Sequence, residues 1–338
     1  MKAAVLKNIR ELKIEEKEIP VPSKGELVIR LLYALTCGTD LKSYERGHPF
    51  LKFPRIIGHE YVGEVVAKGD LVKNFEIGDL VTGANSAPCG ECFYCRKGNH
   101  NLCERLNETL LGFTLDGAFA QYMKVPRRIV EKNLYKIEER DYKKYASIEP
   151  LACVVHSWKF IDVKGDDNIL IIGSGPIAIL HSQLALNYSK NVSLLGKHDN
   201  RLSLARRLGI KVYDYEIYKQ RLDELKEGFD IVIEAVGTPE AWGMAFDLVR
   251  KGGSLLYFGG LKSGTQVSFD AYKIHYGELQ IYGSFHHDPV SVRRAFELIK
   301  ENKVDTKILI TSERNLEEIE SALLDMASGK DMKVGIKF

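Results

Sequence analysis

Up to about residue 150 the apolar positions fall in short, β-branched runs broken by Gly and Pro, the pattern of a β-rich domain. Glu26–Tyr33 and Tyr61–Val66 read as strands. Gly78-Asp79 reads as a turn before a strand near Leu80-Val81, and Gly117–Tyr122 as one more strand. From about residue 165 strands and helices alternate. Strands are expected at Asn168–Gly173, Val192–Leu195, Lys211–Tyr213, Asp230–Glu234, Ser254–Phe258 and Leu279–Gly283. Asp199 is expected to cap a helix over Arg201–Leu208 that Gly209 stops. Thr238-Pro239 starts another, which Gly252-Gly253 ends. Six strands in this rhythm make a doubly wound parallel sheet of the α/β class. After Phe285 the rhythm stops. Asp288-Pro289 caps a helix of the Val292–Lys300 type, Asn315–Glu318 is a capping-box-like start for a second, and Met332–Phe338 reads as a last strand.

Length and composition narrow the picture. The 338 residues suit two domains, and 45% hydrophobic with 28% charged residues is ordinary for a globular chain. A net charge of +2 gives no reason to expect nucleic acid or membrane as a partner. No apolar run approaches the length of a membrane span, and Met1–Leu6 lacks a signal peptide's apolar region and cleavage site. A cytoplasmic protein is therefore expected. Charge runs such as Lys136–Lys144 read as solvated faces.

The candidate chemistry begins between Thr36 and Glu60. Cys37, His59 and Glu60 are a thiolate, an imidazole and a carboxylate, the ligand types zinc prefers. A lone Cys or His more often packs in a core. Here the three share one segment with the Thr39 hydroxyl, which points to an open catalytic zinc site. Cys89, Cys92, Cys95 and Cys103 form a C-x2-C-x2-C-x7-C run on a loop, in a lobe of about residues 86–105. Four close sulfurs suit a closed, structural zinc shell; the alternative is a redox or disulfide cluster. Gly173-Ser174-Gly175-Pro176-Ile177-Ala178 is a G-x-G-x-x-A turn running from a buried strand into an apolar helix, the setting in which such a turn holds a dinucleotide pyrophosphate.

Together these residues resemble the zinc-dependent medium-chain dehydrogenases, along the whole chain. Gly58-His59-Glu60-x2-Gly63-x5-Gly69-x2-Val72 matches that family's zinc signature without a gap, and the cysteine lobe and glycine turn follow in the expected order. The resemblance implies a chaperonin-10-like β-rich catalytic domain formed by residues 1–150 and 286–338, with a Rossmann domain over 151–285. It implies two zinc ions per chain. Cys37 and His59 are firm catalytic ligands, while Glu60 and Glu149 share the remaining places with water. Ile148-Glu149-Pro150-Leu151 stands where simple alcohol dehydrogenases have a cysteine, as in the sorbitol, glucose and threonine dehydrogenase branches. Cys153, four residues on, reads as a small buried hydrophobe. Thr39 matches the hydroxyl that holds the substrate alcohol and relays its proton, and it doubles as a helix cap in the plainer reading. Lys42 stands where the family often has the histidine that ends the relay. The reaction implied is hydride transfer from an alcohol to a nicotinamide, with zinc as Lewis acid.

Enzymes selective for NAD usually carry an acid about 20 residues past the glycine turn. That place falls on Gly196, followed by Lys197, His198 and Arg201, which favours NADP over NAD; the alternative leaves the cations as surface charges and turns Asp199 to the ribose. His286 and His287 follow the sixth strand, where a doubly wound sheet binds ligands; contact with the nicotinamide end and a plain surface position are the two readings, and they are left out of the catalytic set. Tyr44, Phe50 and the residues near Phe113 are candidates for a pocket lining. The expected substrate is a polyol or sugar hydroxyl. The alternatives are a threonine or simple alcohol dehydrogenase and, in another class, a zinc-lobe binding protein without catalysis. Relatives form homodimers or homotetramers, and the same is expected here.

Overall fold

The computed structural model describes residues 1–226 and 228–338. The chain divides into two units, Met1–Cys153 with His287–Phe338, and Val154–His286.

The first unit opens with strands β1 (Lys2–Asn8) and β2 (Glu11–Glu16), then β3 (Leu27–Leu35), helix α1 (Gly38–Arg46), β4 (Arg55–Ile56), β5 (Glu60–Lys68) and β6 (Leu80–Gly83). A short helix α2 (Phe93–Arg96) lies in the cysteine lobe. Strand β7 (Tyr122–Val125), helix α3 (Arg127–Lys132), β8 (Leu134–Lys136) and helix α4 (Ile148–Ser157) follow. Strand β3 is apolar at nearly every position and buried along its length apart from Arg30 and the half-covered Leu32. That composition places it inside a sheet covered on both faces, and Arg30 pairs across the ladder with Glu64 at 2.6 Å. Leu27, Ile29, Leu31, Tyr61, Val65 and Phe119 belong to one buried cluster behind it.

The second unit holds β9 (Ile169–Ile172), α5 (Pro176–Ala185), β10 (Val192–Gly196), α6 (Asp199–Arg207), β11 (Lys211–Asp214), α7 (Tyr215–Tyr218), β12 (Phe229–Glu234), α8 (Pro239–Leu248), β13 (Val249–Tyr257), α9 (Ala271–Tyr276) and β14 (Gln280–Gly283). Its six strands run in the order β11-β10-β9-β12-β13-β14, all parallel. The order reverses direction at β9, the switch point of a doubly wound sheet, beside which such folds bind ligands.

The chain then returns to the first unit with α10 (Pro289–Lys300), β15 (Ile310–Asn315), α11 (Ile319–Ala327) and β16 (Lys333–Lys337). They complete a sheet of order β15-β16-β3-β5-β6-β8, with β7 also on β3. Asp288 caps α10 by accepting from the Ser291 N–H at 2.8 Å, and Asn315 and Glu318 form the expected capping box.

Several local expectations are corrected. Gly117–Tyr122 is not a strand. Its Gly117, Ala118 and Phe119 N–H groups bond irregularly to the carbonyls of residues 56–58, and the strand begins only at Tyr122. The α6 N-cap is His198, at φ 69°, rather than Asp199; the Asp199 carboxylate instead meets Arg206 at 3.0 Å. Thr238 caps α8 as expected, but the helix ends at Leu248. Gly252-Gly253 lie within β13, where its register on β12 shifts. Among the described residues no helix is long and apolar enough to cross a membrane.

Candidate metal centre and nucleotide site

Cys37 stands between β3 and α1 and is the N-cap of that helix. Its Sγ accepts from the Thr39 N–H at 3.5 Å, and Asp40, at the third helical position, accepts from the Cys37 N–H at 2.9 Å. Cys37, not Thr39, is thus the capping residue. Asp40 is buried, and its other oxygen lies 3.2 Å from both the Gly58 N–H nitrogen and His59 Nδ1. A carboxylate beside Nδ1, close enough to pair by charge though not aligned as a hydrogen bond, favours Nε2 as the atom for a metal. Gly58 carries φ 94°, and a Cβ there would come within 2.9 Å of the Phe119 ring; the loop can deliver His59 only with glycine before it.

The ligand atoms of Cys37, His59 and Glu60 all lie within 4.8 Å of one another. Burial pushes His59 down, but the charges of Asp40 and Cys37 outweigh it and hold the imidazole well above its usual value. Glu60 is fully buried, and burial lifts it to about 7 against the pull of Lys333. Lys333 Nζ lies 2.5 and 2.6 Å from the two Glu60 oxygens. Glu149 opens α4 outside this trio. Burial raises it too, Cys153 Sγ donates to it at 3.5 Å, and His287 Nε2 lies 3.9 Å away. Cys153 is therefore a partner of Glu149 and not an inert filler. His287 is 2% exposed, with Nε2 3.1 Å from Asn85 Oδ1, so the surface reading fails for it. A thiol and the carboxylates of Asp40, Glu60 and Glu149 face Lys333 as the buried ammonium among them. That donor set and its charge fit a divalent cation.

Sequence reasoning missed Asp40 and Lys333. A signal for Asp40 existed, since it stands three residues past an N-cap. Lys333 is one lysine at the head of an apolar strand, with nothing local to mark it. The Phe113 ring packs on His59 at 5.4 Å and on His48 at 4.8 Å, and His48 also touches Phe50 at 5.6 Å. Tyr44 is buried with its hydroxyl on Glu320 at 2.5 Å, which removes it from any pocket lining.

The four lobe cysteines also have sulfurs within 4.8 Å of one another. The N–H groups of Glu91 and Cys92 point at Cys89 Sγ (3.4 and 3.3 Å), and that of Cys89 at Cys103 Sγ (3.2 Å). Burial raises Cys89, yet the Cys92 backbone and Arg105 bring it down to about 6, while burial lifts Cys95 to about 12. Backbone donors aimed at sulfur suit thiolates on a metal.

In the second unit Gly173 has φ 126° and turns the chain from β9 toward α5. Gly175 is the N-cap of α5, with no side-chain cap and nothing within 4 Å of where its Cβ would stand. With Pro176 at the first position, the N–H groups of Ile177 and Ala178 are left for an anion. Ser174 Oγ donates to the Lys197 carbonyl at 2.6 Å and ties this turn to the end of β10. Lys197 Nζ sits 4.5 Å over the Tyr215 ring and 3.4 Å from Glu216; Arg201 is half-buried and lowered by burial. Buried Glu234, at the end of β12, accepts from the Val236 and Gly237 N–H groups at 2.7 Å and shapes the neighbouring turn.

A β unit with a buried thiolate–imidazole–carboxylate trio and a doubly wound unit with a glycine turn define a two-part oxidoreductase. The model of the alcohol dehydrogenase GroES-like domain matches residues 23–137, and that of the zinc-binding dehydrogenase matches residues 176–301. The chain belongs to the zinc-binding alcohol dehydrogenase family and is a dehydrogenase. It is 33% identical to a sorbitol dehydrogenase of Halalkalibacterium halodurans, covering 95% of this chain and 94% of that one. It is 31% identical to an L-threonine 3-dehydrogenase of Escherichia coli O157:H7, covering 97% and 98%. A Sinorhizobium meliloti structure described as a zinc-binding dehydrogenase bound to NADP superposes with a TM-score of 0.92 at 27% identity, covering 100% of this chain and 99% of that one.

Proposed function

We infer that this dehydrogenase oxidises a secondary hydroxyl of a polyol or sugar, reversibly, with zinc and NADP. The observation that carries the reading is the buried trio of Cys37, His59 and Glu60 with Asp40 behind the imidazole. Cys37 and His59 would hold the catalytic zinc, with Glu60, Glu149 and water as the remaining candidates; Cys89, Cys92, Cys95 and Cys103 would hold a second, structural one. When bound, zinc supplies a Lewis acid for the substrate hydroxyl and the nicotinamide supplies the hydride acceptor. Thr39, in the first turn of α1, would hold the substrate hydroxyl and relay its proton onward to solvent, accepting it at Oγ1 while giving up its own. Asp40 keeps the His59 ring fixed through turnover. Gly173, Gly175, Pro176 and Ile177 hold the pyrophosphate at the start of α5, and Lys197, His198 and Arg201 surround the 2′-phosphate place beyond Gly196. The sorbitol dehydrogenase relative supports a polyol substrate, and the NADP-bound neighbour supports NADP. The threonine dehydrogenase relative supports a second reading, L-threonine as substrate.

The protein acts in the cytoplasm as a homodimer or homotetramer on this reading. Strand β14 is an edge with Gln280, Ile281 and Gly283 exposed, a ready template for a second copy.

The test is a panel of polyols, sugars and L-threonine, each with NAD and NADP, followed by reduced-cofactor absorbance beside elemental analysis. Two zinc ions per chain and turnover of polyols with NADP are expected. One zinc, dominant iron, or turnover of threonine alone overturns the corresponding part. Cys37→Ala should lower turnover by several orders of magnitude and Thr39→Val by less, the latter with zinc content intact. A Cys37→Ala protein that binds nucleotide and keeps parent turnover refutes the zinc reading.

A further inference from the structure

We propose that Glu234 is a positioning residue for the nicotinamide half of the dinucleotide, pinning together the two loops, 235–238 and 258–260, that receive it. The inference rests on the nucleotide reading above. The glycine turn after β9 takes the pyrophosphate, and the end of β10 takes the adenosine ribose. A dinucleotide carries one nucleoside on each side of its pyrophosphate. In the strand order β11-β10-β9-β12-β13-β14 the adenosine half belongs to the β10 side, so the nicotinamide half is left to the loops that follow β12 and β13. Glu234 is the last residue of β12.

Glu234 is 0% exposed. Its Oε1 accepts from the N–H groups of Val236 and Gly237, each at 2.7 Å. Its backbone carbonyl accepts from the N–H groups of Phe258 and Gly259 at 3.0 and 3.1 Å, so one residue holds both loops. Oε2 has no aligned hydrogen bond and faces Gly259. A Cβ at Gly259 would stand 2.6 Å from Oε2 and 2.3 Å from the Gly237 backbone nitrogen, so the second loop closes on the first only with glycine there. Trp242 clamps the pair from α8. Its indole N–H donates to the Gly259 carbonyl at 2.9 Å, and its ring stacks on Tyr257 at 3.9 Å.

A buried carboxylate keeps its charge only where donors converge on it. Burial pushes Glu234 up, and the N–H groups of Gly237, Val236, Gly259 and Trp242 pull against it. The donors that face this carboxylate are therefore those of the two loops and of the indole that clamps them. Holding a reacting group within an ångström of its productive place is worth up to about 100-fold in rate. One carboxylate that fixes both loops at once supplies that precision to the hydride acceptor.

The test titrates the full chain by calorimetry with NADP and with adenosine 2′,5′-bisphosphate, the adenosine half of NADP, and reads kcat and Tm beside them. Glu234→Ala should weaken NADP by roughly 10- to 100-fold and lower kcat by up to about 100-fold, while the affinity for the fragment stays within about twofold of the parent. Glu234→Gln keeps an acceptor for Val236 and Gly237 but turns an amide NH2 toward the Gly259 and Trp242 donors. It should weaken NADP by roughly 3- to 10-fold, with the fragment again unmoved. A role in folding alone lowers Tm and leaves the ratio of the two affinities at the parent value, and that result overturns the proposal. If Glu234→Ala does not fold, Glu234→Gln and Gly259→Ala, which strikes the same contact from the opposite loop, decide the matter by the same ratio. A parent that takes NAD instead is titrated with NAD and ADP, and the ratio decides in the same way. A parent that binds neither dinucleotide overturns the nucleotide reading itself, which is a different result from an unchanged ratio in the variants.

Discussion

The end of β10 offers a sharp test, because geometry changes what a cofactor switch requires. An aspartate at Gly196 would supply the acid that NAD enzymes place on the ribose and would repel a 2′-phosphate. A Cβ at Gly196 would, however, stand 2.7 Å from Ser174 Cβ and 3.1 Å from its Oγ. Contacts under 3 Å force a shift, and forced overpacking costs about 1–3 kcal/mol. Ser174 is also the residue that ties the glycine turn to Lys197 at 2.6 Å. Gly196→Asp alone should therefore weaken NADP and NAD together, by roughly 5- to 140-fold in dissociation constant. Adding Ser174→Gly removes the clashing Cβ, and Lys197→Ala removes a cation. The triple variant should then favour NAD relative to the parent by about 2 kcal/mol, or roughly thirtyfold in the ratio of kcat/KM values. The assay is nucleotide titration by protein fluorescence beside steady-state kinetics with each cofactor. If Gly196→Asp alone switches preference with undiminished nucleotide affinity, the steric argument is wrong. If the parent already prefers NAD strongly, the reading of the strand end is wrong.

Cys89→Ser should cost about 3 kcal/mol or more, a fall of roughly 6–12 °C in Tm, because a closed zinc shell contributes folding energy; turnover per folded molecule should persist. Unchanged Tm with collapsed turnover would mean that the lobe and the Cys37 site have exchanged roles. Metal removal should also reverse the pH dependence of stability. Glu60, at about 7, and Glu149 bind protons in the folded metal-free chain that the unfolded chain has released, so metal-free stability falls as pH rises from the ordinary carboxylate range through about 7. His59, raised as well, acts in the same sense above its ordinary value. Metal binding needs deprotonated ligands, so the gap in Tm between zinc-loaded and chelated protein should widen from pH 5 to pH 8, and a constant gap counts against the buried-ligand picture.

The alternation of strands and helices in the second unit was legible because each parallel strand is a short apolar run closed by a turn signal, as Ile169–Ile172 before Gly173. The failures have local causes. Gly252-Gly253 looked like a helix stop, but these residues form the irregular part of β13 and leave α8 to end on its own at Leu248. Gly117–Tyr122 has the composition of a strand, yet it spends its N–H groups on the loop that presents His59. Helix α1 entered the sequence reading only as something Thr39 could cap, because Gly38–Arg46 is mostly polar and its start is written in an unusual cap, a cysteine.

The candidate site divides along a different line. Ligand types can be read when they are chemically rare and share one segment, as with Cys37, His59 and the lobe cysteines. The groups that orient them depend on register and on residues hundreds of positions apart. Lys333 and Glu60 are separated by 273 positions and meet only because β16 and β5 flank β3 with Leu35 as common partner. Slipping β16 by one residue would send the lysine to the opposite face and leave Glu60 with no ammonium. The same motif would then stand on a site of different charge. A zinc signature thus names atoms that could bind the metal, while strand register decides which charges surround them, and that second fact needs coordinates.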